Sequence, residues 1–338
     1  MKVAIDSGPL ISGDAIRGIG FHTKELVSKL QKLQDKNFKL DVIDFSKTDL
    51  SNYDLIHYQS FNPYTTSLPF FKPTKKVVLT IHDLIYLIYP KAYPPGIRGK
   101  INFYLQRFNL RNMDAIITIS ETSKKDIVRF LSINPDKIFV TYLAPQTKIK
   151  NKEISQKLNL PEKFVLYIGD VNYNKNLINL AKACKLAKLK LVIVGKQAVV
   201  EDLNDNIENK PWKDFLKVYK NDKDITRLGF VENLDEIFKK AAVYCQPSLY
   251  EGFGLPLLEA FERNVPVVAA STQALVEIGK DACFYVNPLN PEDIAKGLTE
   301  VVNNKSLASD LAKKGKERLK EFSWEKCAKQ TLKIYETL

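Results

Sequence analysis

Residues 244–271 read YCQPSLYEGFGLPLLEAFERNVPVVAAS, and the order of residue types in this stretch decides the fold. Val243, Tyr244 and Cys245 end an apolar run with buried-strand character. Glu251 to Leu255 make a glycine-containing loop, and Pro256 opens a helix that carries Leu257, Leu258, Glu259 and Phe261. Val265 to Ala270 then begin another apolar strand. Proline suits a first helical position because the N–H it lacks has no intrahelical partner there. The chain therefore reads strand, loop, helix, strand, the unit of a parallel sheet.

A helix that follows a glycine loop aims backbone N–H groups and a positive dipole end at whatever lies before it, and both favour a phosphate or diphosphate. Two carboxylates, Glu251 in the loop and Glu259 in the first turn, would repel such an anion. They suit hydroxyls, because an ionised carboxylate is a pure acceptor. A nucleotide sugar, with its diphosphate in the middle and a sugar at each end, meets both demands. Taken singly, Glu251 reads as a solvated loop residue and Glu259 as a complement to the helix dipole. Their joint occurrence around Gly252, Gly254 and Pro256 points to a site.

Glu251 to Glu259 resembles the E-x7-E signature of retaining GT-B glycosyltransferases of family four. That group holds many bacterial lipopolysaccharide and capsule mannosyl- and glucosyltransferases, and PSLYEGFGLPLLEA matches its pattern almost without a break. The resemblance implies that Glu251 lies beside the donor sugar and that Glu259 holds the ribose hydroxyls. It also implies that the backbone of Phe253, Gly254 and Leu255 runs along the diphosphate. It covers nearly the whole chain, most specifically residues 229–290.

A chain of 338 residues suits two domains, and 45% hydrophobic with 27% charged residues is an ordinary globular composition. The formal charge of +12 admits nucleic acid, an anionic membrane or acidic substrates as partners. The lysines are scattered, with no arginine-rich arm and no zinc-ligand spacing, which argues against nucleic acid; much of the charge reads as solvated surface. Cys184, Cys245, Cys283 and Cys327 form no C-x-x-C pair, and those in apolar runs read as core residues of a reducing compartment. No apolar run reaches transmembrane length and no signal peptide precedes KVAID. A cytoplasmic protein, at most peripheral at the inner face of a membrane, is expected.

The first half alternates strands (Lys2–Asp6, Lys39–Phe45, Leu55–Tyr58, Val77–Ile81, Asp114–Ile119, Ile138–Tyr142) with helices at about Phe21–Leu33 and from Ser120. After a loop containing Gly13 and Arg17, Gly18-Ile19-Gly20-Phe21-His22-Thr23 nearly spells the dinucleotide fingerprint. Thr23 stands in place of its last glycine, so no nicotinamide cofactor is expected. This is either a plain strand-to-helix turn or, as the resemblance implies, a glycine loop reaching the donor phosphates through Gly20. His82-Asp83 follows a strand at its carboxyl end, where parallel sheets place function. The resemblance implies an acceptor-side site there in which His82 contacts the donor sugar; the alternative is a packed histidine locked by Asp83. Residues 84–112, rich in tyrosine, proline and basic residues, read either as a surface for a lipid-linked acceptor at an anionic membrane or as a loop and a packed amphipathic helix.

The lysine-rich QTKIKNKEISQKLNLPE marks a linker near residues 144–161. The pattern restarts with strand Phe164–Ile168, the loop Gly169 to Asn176, helix Leu177–Leu186 and strand Leu189–Val194. Lys175, near a helix start, is placed to neutralise a departing diphosphate. This loop resembles the family's basic phosphate-binding loop and contains Gly169, with Asp170 or Asn174 where relatives carry an arginine. Trp212 reads as a buried anchor, and Arg227 to Val231 resembles the strand bordering the nucleobase, with the Val231 main chain facing the base. Asn264 stands where relatives have glycine, and residues 322–338 resemble a terminal helix that crosses back to the first domain.

The expectation is an α/β GT-B protein: two Rossmann-like parallel-sheet domains facing across a cleft. Residues 1–150 form the acceptor side, 151–321 the donor-binding domain, and 322–338 the returning helix. The expected reaction moves a hexose onto a hydroxyl of a glycan or lipid-linked glycan with retention, first mannose from GDP-mannose and next glucose from UDP-glucose. Glu251, His82 and Lys175 are the catalytic candidates. Gly20, Gly169, Lys175, Val231, Phe253, Gly254, Leu255 and Glu259 are the donor-binding candidates, with Asp83 on the acceptor side. No cofactor and no metal are expected, because helix N–H groups, Lys175 and the Gly20 loop meet the diphosphate charge. Glycoside hydrolysis also uses paired carboxylates, but a neutral glycan gains nothing from the helix dipole. A nucleotide-sugar epimerase and a non-catalytic nucleotide-binding protein on the same fold are the other rivals.

Overall fold

The computed structural model describes residues 1–11, 18–145 and 159–338. The expected loop residues Gly13 and Arg17, and most of the lysine-rich linker at 146–158, lie outside the described residues. The chain divides into two compact units, Met1–Ala144 with Phe322–Leu338, and Pro145–Glu321.

The first unit holds six parallel strands: β1 (Lys2–Asp6), β2 (Lys39–Ile43), β3 (Leu55–Tyr58), β4 (Lys76–Thr80), β5 (Ala115–Thr118) and β6 (Ile138–Val140), in the order β2-β1-β3-β4-β5-β6. Registers such as Ile56 opposite Val77 and Val78 opposite Ala115 stack the β-branched residues that make these segments strands. β5 is buried along its whole length, as expected for a parallel strand covered on both faces. The helix after Ser120 begins where its cap was expected, with the Ser120 side chain accepting from the Ser123 N–H.

One expectation fails here. The helix at the first glycine cluster spans Gly18–Gln31, so Gly20 is buried inside its first turn rather than in a loop. Glycine is a poor helix former, least costly in a first turn such as this one. Burial of Leu26, Val27 and Leu30 on the inner face outweighs that cost. The terminal helix Trp324–Thr337 belongs to this unit: Lys29 pairs with Glu325 at 2.6 Å, and Tyr335 Oη lies 2.6 Å from His57 Nδ1.

The second unit holds β7 (Val165–Ile168), β8 (Leu191–Val194), β9 (Ile225–Leu228), β10 (Val243–Gln246), β11 (Val267–Ala270) and β12 (Cys283–Val286), in the order β12-β11-β10-β7-β8-β9. The chain winds outward from β7 through β8 and β9, then returns to the other side of β7 as β10. The boundary between β7 and β10 is therefore the topological switch point, where open parallel sheets bind ligands at their carboxyl ends. Trp212 is buried as expected, stacked on Phe215 at 4.5 Å, with its indole N–H donating to the Val200 carbonyl at 2.9 Å. All four cysteines are free and buried. Asn264 keeps the turn expected of glycine by adopting φ 55°, a left-handed conformation that asparagine tolerates. Among the described residues, no helix is long and apolar enough to cross a membrane.

Candidate active site

Two loops meet at the switch point of the second unit. One leaves β7 as Gly169 to Asn176, and the other leaves β10 as Pro247 to Gly254. Backbone and amide contacts stitch them together. Leu249 N–H donates to the Asn174 carbonyl at 2.7 Å, the Asn174 side-chain amide donates to the Tyr250 carbonyl at 3.1 Å, and Asn176 Nδ2 donates to the Pro247 carbonyl at 3.0 Å. Asn174 is thus buried and engaged in the interior of the loop pair.

The seam positions Lys175 against Glu251. The ammonium lies 2.8 Å from Oε1 and 2.9 Å from Oε2 of the carboxylate. Oε1 also accepts from Ser248 Oγ at 2.6 Å and from Gln246 Nε2 at 3.0 Å. Glu251 is buried, and its four close donor contacts show that it is not a solvated loop residue. Burial first, and then the charges of Glu251 and Asp170, hold the Tyr167 phenol well above its ordinary value. Sequence reasoning treated Lys175 and Glu251 as partners of different ends of a ligand; the structure joins them. Gln246 and Ser248 were missed, although Ser248 lies three residues before Glu251 and within reach of it across the turn.

The helix after this loop spans Leu255–Glu262, capped by Gly254 at φ 112°. A Cβ at Gly254 would lie 2.8 Å from Leu275 Cδ2, so both backbone and space require glycine. Pro256 is the helix's second residue rather than its first, and Glu259 its fifth, beyond the first turn. The left-handed glycine starts the helix one residue early, which places Glu259 just beyond the first turn. No donor among the described residues hydrogen-bonds the Glu259 carboxylate. Arg263, the nearest cation in sequence, gives its Nε to Asp235 at 2.8 Å and an Nη1 bond to the Glu259 backbone carbonyl at 3.2 Å. Burial pushes the Glu259 carboxyl up to about 7, opposed by Arg263 and reinforced by Glu262.

Gly169 lies beside Gly195 at the ends of neighbouring strands. Its carbonyl oxygen would be 2.2 Å from a Cβ on Gly195, which forbids any side chain there. Val231 follows β9 and is half-buried, next to the exposed Phe230.

In the first unit His82 follows β4, but Asp83 does not lock it: the Asp83 carboxylate accepts from the Ile85 N–H at 3.1 Å. His82 instead faces His22, with Nε2 2.8 Å from His22 Nδ1, so the two rings share one proton. His22 stacks on Trp324 at 5.8 Å, and all three histidines of the chain are buried in this unit. Burial lowers His82 to about 4 and His57 to about 3, and drives His22 well below 6.5 with help from its histidine neighbours. Near neutral pH all three are therefore uncharged. His82 Nδ1 and His22 Nε2 are buried without a hydrogen-bond partner. Among the described residues, no group of three or more His, Cys, Asp or Glu side chains is arranged to hold a metal ion.

A family model described as Glycosyl transferases group 1 matches residues 149–318. The chain belongs to this family. A second model, Glycosyltransferase Family 4, matches residues 25–144 of this glycosyltransferase. Over 282 residues it is 27% identical to O-antigen chain mannosyltransferase B of Escherichia coli, covering 78% of this chain and 71% of the relative. Sucrose-phosphate synthase from Thermosynechococcus elongatus superposes with a TM-score of 0.73 at 20% identity, covering 100% of this chain and 98% of that one. HepE of Anabaena, solved with UDP and glucose, superposes with a TM-score of 0.72 at 14% identity over the full length of both chains. These likenesses establish the GT-B fold of the glycosyltransferase, with a six-stranded parallel sheet in each unit.

Proposed function

We propose that this glycosyltransferase moves a hexose from a nucleoside diphosphate sugar to a hydroxyl of a glycan or lipid-linked glycan, with retention at the anomeric carbon. The observation that carries the reading is the Lys175–Glu251 ion pair at the switch point. An arriving diphosphate competes for the Lys175 ammonium, and an ammonium held between carboxylate and phosphate neutralises the charge that grows as the sugar leaves. Glu251, kept in place by Gln246 and Ser248, is then available to hydroxyls of the transferred sugar. Glu259, with no protein donor on its carboxylate, takes the ribose hydroxyls. The Phe253, Gly254 and Leu255 backbone and the Gly169 loop line the diphosphate, and Val231 borders the base. Gly20 acts through its helix N-terminus rather than through a loop.

In the same reading His82 contacts the transferred sugar and Asp83 lies on the acceptor side. His22 holds the His82 ring and fixes which of its nitrogens carries the proton. Mannose from GDP-mannose is the preferred donor, supported by the mannosyltransferase relative, with glucose from UDP-glucose next. Incubation with GDP-mannose or UDP-glucose, following nucleoside diphosphate release with and without a glycan acceptor, tests the proposal. Acceptor-dependent release is expected. A sugar altered while still on its nucleotide, or binding without turnover, would assign the site to epimerisation or to simple recognition.

A further inference from the structure

Behind the ion pair, two buried side chains of β10 line up. Tyr244 and Gln246 are two residues apart on this strand, so both project from the same face of the sheet. Tyr244 is fully enclosed, with its ring 6.2 Å from that of Phe238. Its hydroxyl donates to Gln246 Oε1 at 3.3 Å, and Gln246 Nε2 donates to Glu251 Oε1 at 3.0 Å. Hydroxyl, amide, carboxylate and the Lys175 ammonium thus form one chain of hydrogen bonds from the sheet interior to the switch point.

A side-chain amide has a donor end and an acceptor end of nearly the same shape, and its neighbours decide which way it points. Here the choice matters because one end faces a carboxylate. Nε2 against Glu251 makes a charge-assisted bond, whereas Oε1 in the same place would set acceptor against acceptor. Burial first, and then Tyr167, Glu251 and Glu259, hold the Tyr244 phenol well above its ordinary value, so the hydroxyl keeps its proton and meets Oε1 as a donor. A Cβ on Gly254 would lie 3.9 Å from both Nε2 and Oε1, so the amide also packs beside the glycine that caps the Leu255–Glu262 helix. This orientation gives the two oxygens of Glu251 different surroundings. Oε1 accepts from Ser248, Gln246 and Lys175, whereas among the described residues Oε2 accepts from Lys175 alone. When a ligand draws Lys175 away, Oε1 stays anchored and Oε2 is the oxygen left with acceptor capacity. We propose that Tyr244 is a positioning residue, which through Gln246 holds Oε1 of Glu251 and presents Oε2 to a hydroxyl of the transferred sugar. The role of Oε2 rests on Glu251 meeting that sugar, as proposed above; the lock on the amide does not.

Tyr244→Phe removes the hydroxyl and keeps the ring. With GDP-mannose or UDP-glucose, whichever the wild type turns over, kcat should fall about tenfold, while nucleoside diphosphate affinity changes less than about twofold because Lys175 is untouched. Gln246→Met should lower kcat at least as far. Added to Gln246→Met, Tyr244→Phe should cost less than about twofold more, and it should raise the melting temperature by removing a buried hydroxyl that has lost its acceptor. Losses that multiply would show that Tyr244 acts on the fold and not through the amide, and would overturn the proposal. So would a Tyr244→Phe protein with the wild-type kcat. A second readout needs no turnover. In the isotope-labelled full chain the Gln246 side-chain amide signal, assigned by its loss in Gln246→Met, should exchange its protons slowly in the wild type and at least about tenfold faster in Tyr244→Phe. Equal exchange rates would overturn the lock. A wild type that transfers neither sugar would sink the hexose-transfer reading and the role of Oε2 with it, while the exchange rates still decide whether Tyr244 holds the amide.

Discussion

Glu251 and Glu259 belong to one loop-and-helix motif, yet the chain treats them in opposite ways. Glu251 receives Lys175, Ser248 and Gln246 and is held as a charged, saturated acceptor. Glu259 receives no such donor, and burial pushes its carboxyl up to about 7. The first is a group whose partner must be exchanged for a ligand to use it; the second is a group left short of partners until a ligand supplies them.

The largest effect is expected at the exchange point. Lys175→Ala should lower turnover about a thousandfold by removing the charge that meets the leaving diphosphate. It should also lower stability by about 3 kcal/mol, because a buried carboxylate loses its counter-ion. Adding Glu251→Gln should restore the stability but not the turnover, as chemical melts and steady-state rates would show. Restored turnover would dissolve the distinction between the two glutamates. Gly254→Ala comes next. With φ at 112° and a Leu275 methyl 2.8 Å from the new Cβ, a loss of about 2–3 kcal/mol in melting experiments is expected.

Glu259 sharpens the comparison through pH. Its folded pKa of about 7 lies above the ordinary 4.5, so between these values the native state holds a proton that the unfolded chain releases. Stability should therefore fall by up to about 3 kcal/mol as pH rises through this window, while donor affinity rises as the carboxylate ionises. Glu259→Gln should flatten both profiles and be the more stable protein at alkaline pH. An unchanged wild-type profile in the variant would show that the titration belongs elsewhere. His22→Phe, smaller again, should lower kcat about tenfold while leaving nucleoside diphosphate affinity unchanged, since His82 loses its proton-sharing partner.

The sheets, the helix Leu177–Leu186 and the E-x7-E loop were legible because apolar runs, prolines and glycines act locally. Asn264 in place of glycine put its turn in doubt from sequence, and the structure keeps that turn because asparagine tolerates the left-handed conformation. What escaped was tertiary. Lys175 and Glu251 are brought together only by the winding order that sets β7 beside β10. The pairing of His22 with His82 requires a helix to cross a strand end, and Gly20 was misplaced because core burial outweighs glycine's poor helix propensity.

A bound diphosphate should take Lys175 from Glu251. A crystal structure with GDP, UDP or ADP, whichever raises the melting temperature most, tests it directly. The Lys175 ammonium is expected on a phosphate oxygen at the start of the Leu255–Glu262 helix, with the Glu251 carboxylate still held by Gln246 and Ser248. A nucleotide bound away from these loops, with the Lys175–Glu251 pair unbroken, would contradict it.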